Sequence, residues 1–218
     1  MDVARTPDAG DEPQSRNLTM RQRKKVQTRQ RISGVATTLF LARGFDQVTV
    51  AEVAEAAEVS TMTVFNYFPR KEDLFLDRIP EAVELFTSAV RDRPAAESPL
   101  AALHRLILEL IDEGYPLAAL RDRFTAFWQV VVDSPSLRAR AREGVEELEG
   151  ALAEVIAQTS PDPQPRLTAA LAVAAYRTGC LTSAGRMLAG ESAAAVDPDH
   201  RALLDAAFGA LRRALPLS

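Results

Sequence analysis

The stretch TVAEVAEAAEVSTMTVFNYF, residues 49–68, decides the fold. It opens on Thr49-Val50-Ala51-Glu52, a capping-box pattern. The threonine hydroxyl accepts from the Glu52 amide, and the glutamate reaches back to the Thr49 amide. Val53, Ala54 and Ala57 follow at helical spacing. Ser60 is a second N-cap, so a helix ending near Ala56 is joined by a short turn to one covering roughly Thr61 to Tyr67. Val64 and Phe68 give the second helix an inward face, while Ser60, Thr61, Met62 and Thr63 occupy its exposed first turn. Two helices locked by a tight turn, the second presenting short or polar side chains at its start, form a reader of the DNA major groove. Hydroxyls there reach phosphate or base edges, and the Met62 and Thr63 methyls can meet thymine methyls. Free amides at the helix start favour phosphate as well.

Upstream, the spacing predicts a helix from about Thr19 to Arg43 with Ile32, Val35, Ala36, Leu39 and Phe40 as its apolar stripe. Gly44 stops it, because glycine takes a left-handed conformation without a Cβ clash. The first turns carry Arg21, Arg23, Lys24, Lys25, Arg29 and Arg31. Beside a groove-reading helix such a run is a phosphate-binding arm, whereas alone it would be a solvated face. Downstream, Pro69 interrupts and a fourth helix is expected from about Arg70 to Arg91, with Lys71 at its start facing a backbone phosphate. The chain has a net charge of -4, yet Lys and Arg outnumber Asp and Glu by 11 to 7 between Arg16 and Arg78. The remainder is acidic, so a basic module sits on an acidic body.

The residues Val59 to Phe68 (VSTMTVFNYF), then Lys71 to Phe75 (KEDLF), together with Ala36 to Gly44 (ATTLFLARG), Phe45 and Thr49 to Ala57, resemble the signature of the tetracycline-repressor (TetR) family. The resemblance runs without gaps over about residues 25 to 78. It implies an all-α chain: an N-terminal three-helix DNA-binding domain and a C-terminal helical domain that binds a small effector and dimerises. On that basis Thr49 caps its helix and touches phosphate, and Thr61, Met62 and Thr63 lie at the base edges. Phe65 stands where the family usually has tyrosine and so lacks a phenolic hydroxyl. Tyr67 stands where it often has histidine, and like Asn66 offers phosphate a polar group. Thr61 replaces a longer, often basic, side chain, which shifts weight to the arm, Arg21 and Arg29 included.

The expected organisation is a mobile tail (1–18), a helix-turn-helix domain (19–68) and a helical ligand-binding and dimerisation domain (69–218). In the body, Leu100, Leu103, Ile107, Leu110 and Ile111 form one stripe. Leu117, Leu120, Phe124, Phe127, Trp128 and Val131 form the next. Ser134-Pro135 opens another helix, and two more are expected over about 165–189 and 198–214. His104, Tyr115, Phe124, Phe127, Trp128, Tyr176, Arg177 and Met187 are candidates for the walls of an effector pocket. Taken alone, each of these residue types is more often ordinary packing. Ala169, Ala170, Ala174, Ala175, Gly179, Ser183, Ala184 and Gly185, with Leu203, Leu204, Ala207, Phe208 and Leu211, suggest a two-helix face that becomes a four-helix bundle in a homodimer. The alternative is an intrachain helix pair.

No nucleophile–base set, glycine-rich phosphate loop or metal-ligand set is present in the sequence, so neither an enzyme nor a cofactor or metal is expected. No apolar run is long enough to span a bilayer, and the N-terminus has no signal-like core, so a cytoplasmic protein without membrane contact is expected. The lone Cys180 is expected to be buried and inert, with a redox sensor as the alternative. The functional expectation is a homodimeric repressor on a palindromic operator, released by a small molecule. Its alternatives are an effector-independent or activating regulator and, furthest away, a helical small-molecule enzyme.

Overall fold

A computed structural model describes residues 19–118 and 120–215; the tail expected over 1–18 lies outside the described residues. Among these, every regular element is helical: α1 (Met20–Arg43), α2 (Val50–Ala56), α3 (Thr61–Tyr67), α4 (Ile79–Arg91), α5 (Pro99–Asp112), α6 (Thr125–Asp133), α7 (Pro135–Thr159), α8 (Pro165–Leu188) and α9 (Ala193–Ala214). Short 3₁₀ turns lie at Glu72–Leu74, Pro116–Ala118 and Asp122–Phe124.

Three helix boundaries differ from the sequence expectation, each for a local reason. The fourth helix begins at Ile79, not near Arg70. A helix running through from Arg70 would place Pro80 in its interior, where the ring removes an amide and clashes with a preceding carbonyl; beginning at Ile79 puts it in the first turn. The last helix begins at Ala193 and carries Pro198 inside it. Ser192 supplies the N-cap, and Pro198 is exposed, so water can take the bond its missing amide leaves. The stripe from Leu117 to Val131 is broken, and only Thr125–Asp133 is α-helix. Arg121 caps the end of α5 through the Ile111 and Asp112 carbonyls, and Asp122 accepts the Ala193 amide at 2.7 Å, so this segment straps α5 to α9.

Among the described residues, buried side chains form two cores. One holds Phe86, Leu103, Ile107, Leu152, Val173, Leu204 and Phe208, at the junction of α4, α5, α7, α8 and α9. The other holds Ile32, Phe40, Val53, Val64 and Phe68 from α1 to α3, but also Leu74, Phe75, Val130, Val131 and Leu137. The hydrophobic cluster of the helix-turn-helix therefore does not end at Phe68: α6 and the first turn of α7 complete it. A bundle of three helices exposes much of its own apolar surface, and these five aliphatic and aromatic additions cover it. The 25 residues of α7 span both cores.

Of the thirteen residues suggested above for a dimer face, six are buried within the chain and the others are partly or fully exposed. Ala169, Gly179, Ser183, Ala184, Leu204 and Phe208 are the buried six, and Gly179 and Ser183 meet His200 where α8 packs on α9 of the same chain. A glycine lets that pair approach closely: a Cβ at Gly179 would lie 3.2 Å from His200. What α8 leaves outside is a different row, Leu167, Leu171, Thr178 and Leu181.

Candidate nucleic-acid interface

The three N-terminal helices are set by caps read directly from sequence. Thr49 Oγ1 accepts from the Glu52 amide, and Glu52 accepts from the Thr49 amide at 2.7 Å. These bonds and the Arg43 guanidinium hold the Glu52 carboxyl at about 2, far below the usual carboxylate range. Ser60 Oγ accepts from the Thr63 amide at 3.0 Å and pairs with the Thr63 hydroxyl at 2.8 Å. The turn between them is closed by Val59 N–H to the Ala54 carbonyl and Glu58 N–H to the Glu55 carbonyl, a Schellman arrangement. Its left-handed residue is Glu58, at φ 52°. The same arrangement after α5 uses Gly114.

Val64 and Phe68 are buried beneath α3, so its outer face carries Thr61, Met62, Phe65 and Asn66. Thr63 and Tyr67 sit half-buried at the edges, Tyr67 against the N-terminal core. Met62 is 69% and Phe65 45% exposed.

Cations near this face are largely engaged. Lys71 donates to the Phe45 carbonyl at 2.7 Å and lies 4.2 Å from the Phe45 ring centre, pinning the α1–α2 turn. Burial lowers its pKa against the pull of Asp46, Glu72 and Glu52. Arg29 donates to the Asp77 carbonyl and stacks over Phe68, the residue that ends the recognition helix. Arg70 pairs with Glu143. By contrast, Arg21, Lys24, Lys25 and Arg31 are exposed, with no ion pair among the described residues. The first three lie on the two turns of α1 that project beyond the core, from Met20 to Gln27, capped by Thr19 and Gln22. The strut roles of Lys71 and Arg29 were missed in sequence, because the carbonyls they bind belong to distant turns.

Three further contacts tie this module to the body. Ser134 donates to Asp46 at 3.1 Å, Arg140 bonds Asp73 at 2.7 Å, and Phe127 stacks on Phe75 at 4.9 Å between ring centres. A polar path runs alongside. Arg78 bonds Glu81 at 2.7 Å, Tyr115 donates to the same carboxylate, and Tyr176 donates to the Leu117 carbonyl at 2.6 Å. Burial raises the carboxyl of Asp77, next to Arg78, against a hydrogen bond from Ser33 and the Arg29 charge.

The eight pocket candidates fall into separate places. Tyr115, Tyr176 and Met187 pack on the core of the body, and His104 stacks on Phe208 of that core at 5.0 Å. Phe127 belongs to the N-terminal core. Trp128 packs edge-on to Phe127, with its indole N–H buried and without a partner among the described residues. Phe124 is half-buried under Arg123, and Arg177 is exposed. An interstice among Phe86, Leu103, Ile107, Leu152, Ala172, Val173 and Phe208 is too tight to hold water.

Two capped helices joined by a Schellman turn, the second bedded on a shared core and exposed along its outer face, make a helix-turn-helix DNA-binding module on a helical body. That is the architecture of a transcriptional regulator. Residues 32–77 match the family model for bacterial regulatory proteins of the tetR family. The chain is 36% identical over 164 residues to the HTH-type transcriptional regulator TcmR of Streptomyces glaucescens, covering 72% of this chain and 71% of that one. It belongs to the TetR family of DNA-binding transcriptional regulators. Solved structures share its fold. A TetR-family regulator from Mesorhizobium loti superposes with a TM-score of 0.54 at 16% identity, over 88% of this chain and 98% of that one. NalD of Pseudomonas aeruginosa, described as the secondary repressor of a multidrug efflux pump, gives 0.51 at 19% identity over 85% and 96%. No helix among the described residues is long and apolar enough to cross a membrane.

Proposed function

We propose that the protein is a cytoplasmic homodimeric repressor that binds a palindromic operator and is released from it by a small-molecule effector. The observation that carries this reading is the shared N-terminal core. Because Phe127, Val130, Val131 and Leu137 of the body share one core with side chains of α1 to α3, a rearrangement of α6 or α7 disturbs the packing that holds the recognition helix. An effector acts by binding one arrangement more tightly than the other.

The dimer is supported by the row Leu167, Leu171, Thr178 and Leu181 on α8, in which the leucines are 43%, 36% and 53% exposed. The spacing of four, seven and three residues follows a heptad seam. Two copies meeting there would present two recognition helices to successive major grooves. The arm of Arg21, Lys24, Lys25 and Arg31 supplies phosphate contacts, and Thr49, Ser60, Asn66 and Tyr67 flank the base-reading face. Effector binding is supported by buried polar atoms that lack a partner among the described residues, the Trp128 indole N–H on α6 and the Thr168 hydroxyl on α8 among them. A ligand that satisfied them would stabilise the state it entered.

The test combines light scattering with electrophoretic shift on the DNA upstream of the protein's own gene. The wild type should be dimeric and bind in a salt-sensitive, sequence-selective way. Leu171→Glu with Leu181→Glu should be monomeric, folded and at least tenfold weaker on the operator. A variant that remained dimeric would overturn the interface, and absence of selective binding would overturn the repressor. A thermal-shift screen of small molecules in which no compound both raises Tm and releases DNA would favour an effector-independent regulator.

A further inference from the structure

We infer that α3 reads its operator chiefly through the 5-methyl groups of thymine, with Met62 and Phe65 as the specificity residues. The inference rests on the operator binding proposed above.

Side chains of this size are usually inside a folded chain, and a methionine and a phenylalanine one turn apart on the outer face of a recognition helix need a partner. Residues three apart share a helix face, so Met62 and Phe65 form one continuous apolar surface, flanked by the Thr61 methyl. The polar alternatives on this helix are few. No arginine, lysine, glutamine or histidine lies between Thr61 and Tyr67. The Ser60 and Thr63 hydroxyls close on each other, and Ser60 also accepts the Thr63 amide. The nearby cations already have partners: Lys71 the Phe45 carbonyl, Arg29 the Asp77 carbonyl, and, in exposed ion pairs, Arg43 Glu52 and Arg70 Glu143. Bidentate recognition of guanine by a cation is thus unavailable from α3 itself. What remains is the Thr61 hydroxyl, which can serve any base, Asn66, a partner for adenine, and an apolar patch. The one apolar group on a base edge in the major groove of unmodified DNA is the thymine methyl. Phosphate attraction by the exposed cations of α1 brings the duplex to this face without specifying sequence.

The full-length protein is used to select binding sites from a random duplex pool. The enriched site is then resynthesised with deoxyuridine replacing thymidine, first within the half-sites and then only outside them. Affinities are read by fluorescence anisotropy at fixed salt. The half-sites should contain thymine beneath α3. Replacing its methyl by hydrogen should weaken binding about fourfold per contact, the equivalent of roughly 0.8 kcal/mol. One contact in each half-site gives about fifteenfold in total. Substitution outside the half-sites should change nothing. Met62→Ala with Phe65→Ala, both exposed and therefore compatible with folding, should bind the two duplexes equally. Met62→Leu should keep the preference. Equal affinity of the wild type for both duplexes, or half-sites without thymine, would overturn the inference and leave the regulator intact. A pool that never enriches would instead overturn operator binding.

Discussion

Leu137 offers a direct test of the shared core, because it belongs to the body in sequence and to the DNA-binding module in space. It is fully buried among Ile32, Phe40, Val53, Phe75 and their neighbours. Leu137→Ala removes three carbons, worth about 2.4 kcal/mol at roughly 0.8 kcal/mol each. Incomplete collapse of the cavity brings the expected loss to about 3 kcal/mol, within the range of 2.7–5.0 kcal/mol seen for buried leucines elsewhere. A loss of that size raises the population of the opened N-terminal core by roughly 150-fold. The assay is hydrogen exchange read by mass spectrometry. Amides of α1 to α3 that exchange by opening of this core should exchange about a hundredfold faster, while those of α8 and α9 should hold their rates. Leu152→Ala is the matched control. Leu152 is also fully buried on α7, but in the other core, and should reverse the pattern. If Leu137→Ala accelerated α8 and α9 and spared α1 to α3, the argument that the body's helices complete the helix-turn-helix would be wrong.

Three further outcomes are expected. Glu58→Gly should raise stability by about 1 kcal/mol in a urea titration, because glycine removes the left-handed penalty at the turn; a loss would mean that the Glu58 side chain makes a compensating contact. Thr49→Ala should cost about 1 kcal/mol at pH 7 through the lost cap. The Glu52 carboxyl is depressed in the folded chain, so its contribution is present at neutral pH and lost as pH falls toward about 2. The gap between wild type and Thr49→Ala should therefore narrow in acid, and a constant gap would exclude the reciprocal cap. Burial pushes the Cys180 thiol up to about 12, against a hydrogen bond from Tyr176. The thiol should resist a disulfide reagent at pH 8 in the folded protein and react fully once unfolded, whereas fast reaction in the native state would point to a redox role.

Much of the DNA-binding module could be read in one dimension because its determinants are local. Thr49 with Glu52, and Ser60 with the Thr63 amide, satisfy helix ends within a turn of their own position, so spacing alone locates them. The inward face of Val64 and Phe68 follows from the helical period in the same way. The Schellman turn between them was less legible, since Glu58 carries no signal for a left-handed conformation. The body was read more coarsely. A periodic apolar stripe shows that a helix is buried without showing against what, and small residues suit an intrachain pair and a dimer equally well.

The sequence by itself determined the all-helical class, the capped helix pair and the family, because hydrophobic period and capping act over three or four residues. Only the tertiary structure decided which residues serve the site. It turned Lys71 and Arg29 inward as struts and placed Phe127 and Leu137 in the core of the DNA-binding module. It buried Leu204 and Phe208 inside the chain and left Met62 and Phe65 facing out. These outcomes depend on packing between residues far apart in sequence, and on which buried carbonyls need a donor once the helices have met. No local pattern encodes either.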